Sequence, residues 1–188
     1  MSLVKVNSVG EFGTIEALTR ITNQFDVGIE SNRDLLIGIG DDAAAWAGDD
    51  LIQLCTTDML VQNIHFTLET TSWIDIGWKS MAINISDIAA MGGFPTYAMI
   101  SLGCPSDTEL ASLEELYAGI AAIARELGMS IVGGNITKSP LLIISPAVFG
   151  KVLSDRLLTR SGAIPGDCIA VTGCLGEAAA GLRILRQK

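Results

Sequence analysis

The chain has 188 residues, of which 49% are apolar and 18% are charged, and its formal net charge is −9. Such a composition predicts a folded protein with a core and excludes a disordered one. The negative charge argues against a nucleic-acid partner, because phosphate contacts need clustered lysines and arginines. The length is that of one full domain with the beginning of another.

Targeting and cysteine signals point to a cytoplasmic protein without a membrane span. The N-terminus lacks the apolar core of a signal peptide. Residues 80–104 carry Asp87 as their only charge, but Gly92, Gly93 and Pro95 divide them into a buried helix and a buried strand. The cysteines lack the C-x-x-C spacing of zinc sites, so we expect four reduced thiols: Cys55, Cys104, Cys168 and Cys174.

Apolar periodicity and glycine or proline breaks predict alternating helices and strands. Helices are expected over residues 11–25, 74–91 and 110–127 and from about Gly176, with Gly128 closing the third. Strands are expected over residues 35–39, 51–57, 97–102, 129–132, 141–152 and 168–172. Pro146 favours an edge or irregular position for its strand, because proline donates no ladder hydrogen bond. This order indicates an α/β or α+β fold.

The expected domain boundary lies near residue 150. Residues 1–150 would form an N-terminal domain, and residues 151–188 would begin a second one. One strand and one helix cannot bury a core. We therefore expect the second domain to be truncated in this chain.

Acidic side chains stand where apolar elements end, which is where sheets commonly build binding sites. Asp41 and Asp42 follow the first strand, and Asp58 follows the second. Asp87 lies on the helix over residues 74–91. Four residues of this helix are spaced at i, i+4, i+7 and i+11 and therefore share one face, which carries polar groups: Ser80, Asn84, Asp87 and Met91. A carboxylate on such an apolar helix needs a partner.

Oxygen ligands without a histidine or cysteine cluster suit Mg²⁺ better than Zn²⁺. Aspartates at these positions are also common as turn and capping residues, so a metal site and a set of turns both remain open. The glycines of 38–40 and 133–134 are equally open to two interpretations, as phosphate-cradling loops or as tight turns. Neither matches a Walker motif. His65 lies in a segment without periodicity, and nothing local identifies it as a base.

Taken together, these segments resemble the thiamine-monophosphate kinases, within the superfamily of aminoimidazole-ribonucleotide synthetase and selenophosphate synthetase. The most specific motif is Asn-x-Ser-Asp-x-Ala-Ala-Met-Gly at residues 84–92, with Asn-x-His-Phe upstream at residues 63–66. The resemblance extends over essentially the whole chain, through residues 11–12, 38–44, 56–61, 63–66, 78–92, 133–134 and 158–167.

The resemblance implies ATP-dependent, in-line phosphorylation of thiamine monophosphate to thiamine diphosphate, assisted by Mg²⁺. It implies an N-terminal domain with a mixed sheet flanked by helices, pairing into a homodimer through its sheet with the nucleotide near that interface. His65 would contact the thiamine phosphate substrate. The implied metal ligands are Asp42, Thr56, Thr57, Asp58, Asp87 and Asn135, and the implied ATP-binding residues are Tyr117, Gly134, Asn135 and Arg160.

One position departs from the family pattern. Asn135 follows Gly133-Gly134, where the family usually has an aspartate. An amide oxygen ligates Mg²⁺ more weakly than a carboxylate, so one metal ion would be loosened or lost. Two alternatives to the kinase therefore remain, namely a related ATP-using enzyme with another substrate and a non-catalytic nucleotide-binding dimerisation module.

Overall fold

The computed structural model describes residues 6–25, 34–48 and 50–187, and of residues 6, 7, 11 and 21–25 it describes the backbone alone. The side chain of Glu11, which belongs to the resemblance, therefore lies outside the described part. The helices are α1 (Val6–Phe25), α2 (Trp73–Ala90), α3 (Leu110–Glu126) and α4 (Glu177–Leu185). The strands are β1 (Leu35–Ile37), β2 (Ala44–Ala47), β3 (Ile52–Thr57), β4 (Leu60–Val61), β5 (Phe94–Cys104), β6 (Ser130–Lys138) and β7 (Ile143–Val152).

The strands form one seven-stranded mixed sheet in the order β1-β2-β3-β7-β5-β6, with β4 also paired to β7. Helix α3 connects β5 to β6, which pair in parallel. The other described pairs are antiparallel. Strand β7 therefore lies at the centre of the sheet, although it is the last of the described strands.

Helices α2 and α3 pack on one face of the sheet, because alternate strand residues point to that face and are buried there. Leu54, Ile100 and Val148 are examples, one from each of the central strands. The helices themselves meet through glycines. A Cβ at Gly77 would lie 1.9 Å from the Leu116 carbonyl oxygen, and one at Gly119 would lie 1.9 Å from the Ile74 carbonyl oxygen.

Helices α2 and α3 leave the opposite face of the sheet uncovered, and α1 borders that face where Phe12 and Ile15 line a cavity together with Cys55. The opposite face carries the other alternate residues of the same strands, including Cys55, Tyr97, Met99 and Phe149. Tyr97 is 54% exposed and Met99 is 46% exposed. We call this surface the open face. In the described part of the chain, no helix is both long and apolar enough to cross a bilayer.

The mixed α/β fold and the predicted central helices are confirmed. Helix α2 begins after Ser72, whose hydroxyl accepts from the Asp75 N–H at 3.2 Å. Helix α3 ends before Gly128, whose φ of 67° is the left-handed conformation expected of a closing glycine.

The structure corrects two predictions and decides a third between its two alternatives. Pro146 lies in central β7 and not at an edge, but opposite the interruption between β3 and β4, so the predicted irregular position is confirmed. Residues 168–172 form no strand, since no neighbouring strand pairs with them, and Ile169 is 98% exposed. Gly134 and Asn135 lie inside β6 and not in a turn, because Gly134 has no Cβ to collide with the Ile100 carbonyl oxygen, which would be 2.0 Å away.

Candidate functional site

A hydroxyl from the sheet and a carboxylate from helix α2 meet beneath the end of β3. Thr56, buried on the helix-covered side, has its Oγ1 atom 3.0 Å from Asp87 Oδ2 and 3.2 Å from the Asp42 carbonyl oxygen. Asp87 is half-buried and stands one helical turn from Asn84 and two from Ser80, as the predicted helix face requires. The buried carboxylate thus has the partner that its surroundings demand.

Burial raises the pKa of Asp87 above its ordinary value of 3.8. The negative charges of Asp58 and Asp42 raise it further, while the Thr56 hydrogen bond and the Arg160 cation oppose the shift. Two like charges therefore act on a carboxylate that is already partly removed from water. Such a group is stabilised in its ionised form by any cation that binds among the three carboxylates.

Asp58 is held by its backbone, which leaves its carboxylate without a described hydrogen bond. Its N–H donates to Asn84 Oδ1 at 2.7 Å, and its carbonyl oxygen accepts from Ser145 Oγ at 3.3 Å. Asn84 is fully buried and donates in turn to the Ser80 carbonyl oxygen at 2.9 Å. A chain of buried polar groups thus fixes the position of the Asp58 main chain relative to α2.

Arg160 reaches the same region from the segment that follows β7. Its backbone N–H donates to the Asp41 carboxylate at 3.2 Å, and its Nε donates to Asp42 Oδ1 at 3.0 Å. A cavity of about 620 Å³ lies here and is lined by residues that include Asp42, Thr56, Thr57 and Arg160. The Thr57 hydroxyl is engaged separately, by donation to the Pro146 carbonyl oxygen at 2.8 Å.

The donor set suits Mg²⁺, although the residues that the structure describes include no group of three or more carboxylates, histidines or cysteines arranged to hold a metal ion. Mg²⁺ in nucleotide-binding sites commonly takes one or two carboxylates and completes its shell with water and phosphate oxygens. Asp42, Asp58 and Asp87 with Thr56 offer hard oxygen donors of that kind, so the residues present fit the ion.

The predicted ATP-binding residues are not all brought together. Asn135 lines a different cavity of about 310 Å³, together with Met59, Ser101 and Ser145. The Ser145 hydrogen bond to Asp58 links this cavity to the aspartate site. Tyr117 lies on α3, half-buried against the core, and burial raises the pKa of its phenol. No described hydrogen bond or cavity joins Tyr117 to Arg160 or Gly134.

His65 lines a third cavity of about 400 Å³, on the side of α2 nearer its N-terminus. The cavity lies between residues 63–71, Lys79 on α2 and four residues of the α4 region: Ala178, Ala179, Leu182 and Arg186. His65 accepts at Nδ1 from the Val61 N–H at 3.0 Å. His65 therefore lies apart from the aspartate site. Its cavity borders α2 at Lys79, about two helical turns before Asp87.

Two contributors to these sites were not predicted from the sequence, and a third was predicted without its contact. Ser145 was hidden inside an apolar strand, and Lys79 gave no signal beyond its position in the family motif. Asp41 was recognised only as part of a carboxylate pair, whereas it holds the Arg160 backbone. The contact joins residues 119 positions apart, which no local pattern reveals.

The model of the family described as AIR synthase related protein, N-terminal domain, matches residues 40–152, which is more than half of the chain. The chain belongs to the AIR synthase related family. The match begins at Gly40, directly before Asp41 and Asp42, and ends with β7. It thus contains the whole sheet except β1, together with α2 and α3.

Curated relatives whose sequences align with this chain are named thiamine-monophosphate kinase. The protein from Bacillus subtilis is 37% identical over 154 residues, covering 81% of this chain and 47% of that protein. The protein from Aquifex aeolicus is 35% identical over 184 residues, covering 97% of this chain and 55% of that protein. This AIR synthase related chain therefore spans about half the length of the curated relatives it matches.

A solved structure described as AaThiL complexed with AMPPCP and TMP is 34% identical to this chain, with a TM-score of 0.86. The match covers 100% of this chain and 56% of that one. A second structure, of thiamine monophosphate kinase from Aquifex aeolicus, matches with a TM-score of 0.77 at 33% identity, covering 98% of this chain and 56% of that one. The fold described above is thus the fold of about half of each of these proteins.

Proposed function

We propose that the protein, at the length of its relatives, transfers the γ-phosphoryl group of ATP to the phosphate of thiamine monophosphate, with Mg²⁺. One observation carries this proposal: Thr56 Oγ1 lies 3.0 Å from Asp87 Oδ2, and that carboxylate feels the charges of Asp58 and Asp42, in a chain that aligns with thiamine-monophosphate kinases over nearly its whole length. The relative crystallised with AMPPCP and TMP supports the choice of donor and acceptor.

Asp42, Asp58, Asp87 and Thr56 would hold Mg²⁺, which would neutralise the phosphate oxygens of the donor and orient them for in-line displacement. The chain's own residues need supply no covalent nucleophile, because phosphoryl transfer depends on positioning and charge neutralisation. Asn84 and Ser145 would keep the Asp58 main chain in register while the carboxylate binds. Thr57 would contribute to the same cavity wall.

Arg160 would be the cation that meets the nucleotide phosphates, and its present bonds to Asp41 and Asp42 keep it at the mouth of the cavity. Gly134, Asn135 and Tyr117 are proposed as further nucleotide contacts from β6 and α3. His65 is proposed to donate a hydrogen bond to the acceptor. Transfer then proceeds from the donor phosphate to the acceptor phosphate without a proton relay through the protein.

The proposal includes the domain division and the assembly. Residues 1–150 would be the nucleotide-binding and dimerisation domain, and residues 151–188 would begin a second domain that completes the acceptor pocket. Two copies would pair through the open face, where Tyr97 and Met99 expose apolar surface. We assign the enzyme to the cytoplasm, where its four free cysteines would stay reduced.

The deciding experiment follows thiamine diphosphate formation from ATP, Mg²⁺ and thiamine monophosphate. It compares the natural-length protein with the 188-residue chain, and each with its Asp58→Asn and Asp87→Asn variants. We expect product from the natural-length protein and a loss of roughly 10- to 100-fold or more in Mg²⁺-dependent nucleotide affinity in both variants, since each removes a charged ligand. Asp155→Asn, in an exposed turn after β7, serves as the matched control.

Two outcomes would contradict the proposal. Full Mg²⁺-dependent ATP binding by both variants would remove the metal assignment. ATP binding without thiamine diphosphate formation, by folded natural-length protein, would favour a related enzyme with another acceptor. That second candidate is supported by Asn135, which replaces the usual family aspartate.

A further inference from the structure

His65 sits in a turn that is closed by its own backbone. The His65 N–H donates to the Val61 carbonyl oxygen at 2.9 Å, and the Asn63 N–H donates to the Phe66 carbonyl oxygen at 2.8 Å. Asn63 has a φ of 65°, a left-handed conformation that asparagine tolerates better than most residues. The side chain of His65 is exposed, so packing alone does not fix its orientation.

A backbone donor selects the tautomer of this imidazole. The Val61 N–H donates to His65 Nδ1 at 3.0 Å, so Nδ1 must carry the lone pair. In the neutral ring the proton then resides on Nε2. His65 is thereby a hydrogen-bond donor toward an oxygen or nitrogen acceptor in the cavity that it lines.

Lys79 connects this turn to the rigid part of the fold. Its Nζ donates to the His65 carbonyl oxygen at 3.1 Å. Asp75, one helical turn earlier, is instead engaged by Ser72 at the start of α2. Within the residues that the structure describes, Lys79 forms no ion pair with a carboxylate.

The part of α2 that carries Lys79 packs directly against α3. Lys79 follows Gly77 by two residues, and Gly77 is in direct backbone contact with α3. Because Lys79 lies two residues from that contact, its backbone is fixed relative to α3, and its side chain can restrain the exposed turn that contains His65. The hydrogen bond to a cationic donor is also stronger than one between neutral groups.

We propose that Lys79 is a positioning residue, which holds the 61–66 turn so that His65 presents its Nε2–H to the acceptor. This inference rests on the proposed function for the identity of the acceptor, but not for the geometry of the turn. It predicts that Lys79 acts on acceptor binding through His65 and leaves nucleotide binding alone.

The kinetic test uses the natural-length protein with Lys79→Met, which keeps the apolar stem and removes the donor. We expect the KM for the acceptor to rise about tenfold, with kcat and the KM for ATP close to those of the unchanged protein. Lys79→Arg can still donate to the His65 carbonyl oxygen, so its KM for the acceptor should stay close to that of the unchanged protein. Lys151→Met, at an exposed lysine of β7, is the matched control.

A spectroscopic test works without any catalytic activity. His65 is the single histidine of the 188-residue chain, so ¹⁵N-histidine labelling gives one imidazole spectrum. In alkaline solution the unchanged chain should show a protonated Nε2 and a hydrogen-bonded, unprotonated Nδ1. Lys79→Met should raise the fraction with a proton on Nδ1, and Lys79→Arg and Lys151→Met should not.

The two tests separate this inference from the proposed function. An unchanged imidazole spectrum in Lys79→Met, with an unchanged acceptor KM, would overturn the positioning role and leave the kinase proposal intact. A changed spectrum in a protein that forms no thiamine diphosphate would support the positioning role and remove the proposed acceptor.

Discussion

Asp87 carries a carboxylate whose charged form is disfavoured by the folded chain. Its pKa is raised first by burial and then by Asp58 and Asp42. Between the ordinary value of 3.8 and the raised value, the folded state binds more protons than the unfolded state. The contribution of Asp87 to the free energy of unfolding is therefore fully present at low pH, below the unfolded pKa. It is lost as the pH rises through the folded pKa.

We therefore predict that Asp87→Asn stabilises the metal-free protein at neutral pH, because the amide keeps an acceptor for Thr56 and removes the charge. The gain should be absent near pH 3, grow as pH rises above about 4, and then level off. Urea unfolding in the presence of a chelator, over a series of pH values, measures it. A variant with the same pH profile as the unchanged protein would show that the pKa of Asp87 is not raised in the folded state.

Asn135 offers a gain-of-ligand prediction. Asn135→Asp should tighten Mg²⁺ binding in the presence of an ATP analogue by roughly tenfold, if β6 faces the bound metal and nucleotide. Calorimetric titration of Mg²⁺ into the natural-length protein measures the change. Ser101→Asp, which places a carboxylate beside Asn135 in the neighbouring strand, controls for added charge in the same cavity. Equal tightening of Mg²⁺ binding in both variants would mean that the added negative charge is responsible, and not a ligand at position 135.

At the scale of elements, the glycine contact between α2 and α3 sets the height of both helices above the sheet. Gly119→Ala places a Cβ 1.9 Å from the Ile74 carbonyl oxygen, which is backbone and cannot turn aside. We expect a loss of about 1–3 kcal/mol in the free energy of unfolding.

The matched control for this change is Gly181→Ala in α4, where the added Cβ meets no atom within 4 Å. Alanine propensity alone should make that variant slightly more stable, by about 0.5–1 kcal/mol. Thermal and urea unfolding of both variants measure the contrast. A stabilised Gly119→Ala would mean that the helices separate freely, against the contact described here.

The elements with strong local signals could be predicted from sequence. Helices α2 and α3 have long apolar periodicity and a glycine shortly after the C-terminal end, and both formed within one or two residues of their predicted limits. Strand β2 was missed because three of its four residues are alanines, which have little strand propensity, and pairing with β3 supplies what the sequence lacks. The predicted strand over 168–172 had apolar residues but no neighbour to pair with.

The site was predictable where it depends on strand ends and helix periodicity. Asp42, Asp58 and Asp87 follow from those patterns, and the structure brings them close enough for their charges to interact. Arg160 could be tied to Asp42 only through the family resemblance or the fold, since 118 residues separate them. The Asn84 bond to the Asp58 backbone likewise depends on how α2 sits on β3.

At the scale of the whole molecule, the open face leads to a prediction about assembly. Tyr97→Asp should shift the proposed dimer to a monomer, because a charge would be buried without a partner between two sheets. Light scattering after gel filtration measures the mass of the particle. Ala122→Asp, on the exposed side of α3, should leave the mass unchanged. A dimer that survives Tyr97→Asp would rule out pairing through this surface.

The central position of β7 has a consequence for synthesis on the ribosome. Until residues 143–152 have left the exit tunnel, the nascent chain holds two unjoined pieces, with β1-β2-β3 on one side and β5-β6 on the other. Both pieces expose strand edges that pair only with β7, and such edges favour aggregation during slow translation. Of the strands described, β7 is the last to be made and the one that joins the two pieces, so a pause before residue 143 should expose the protein to chaperones.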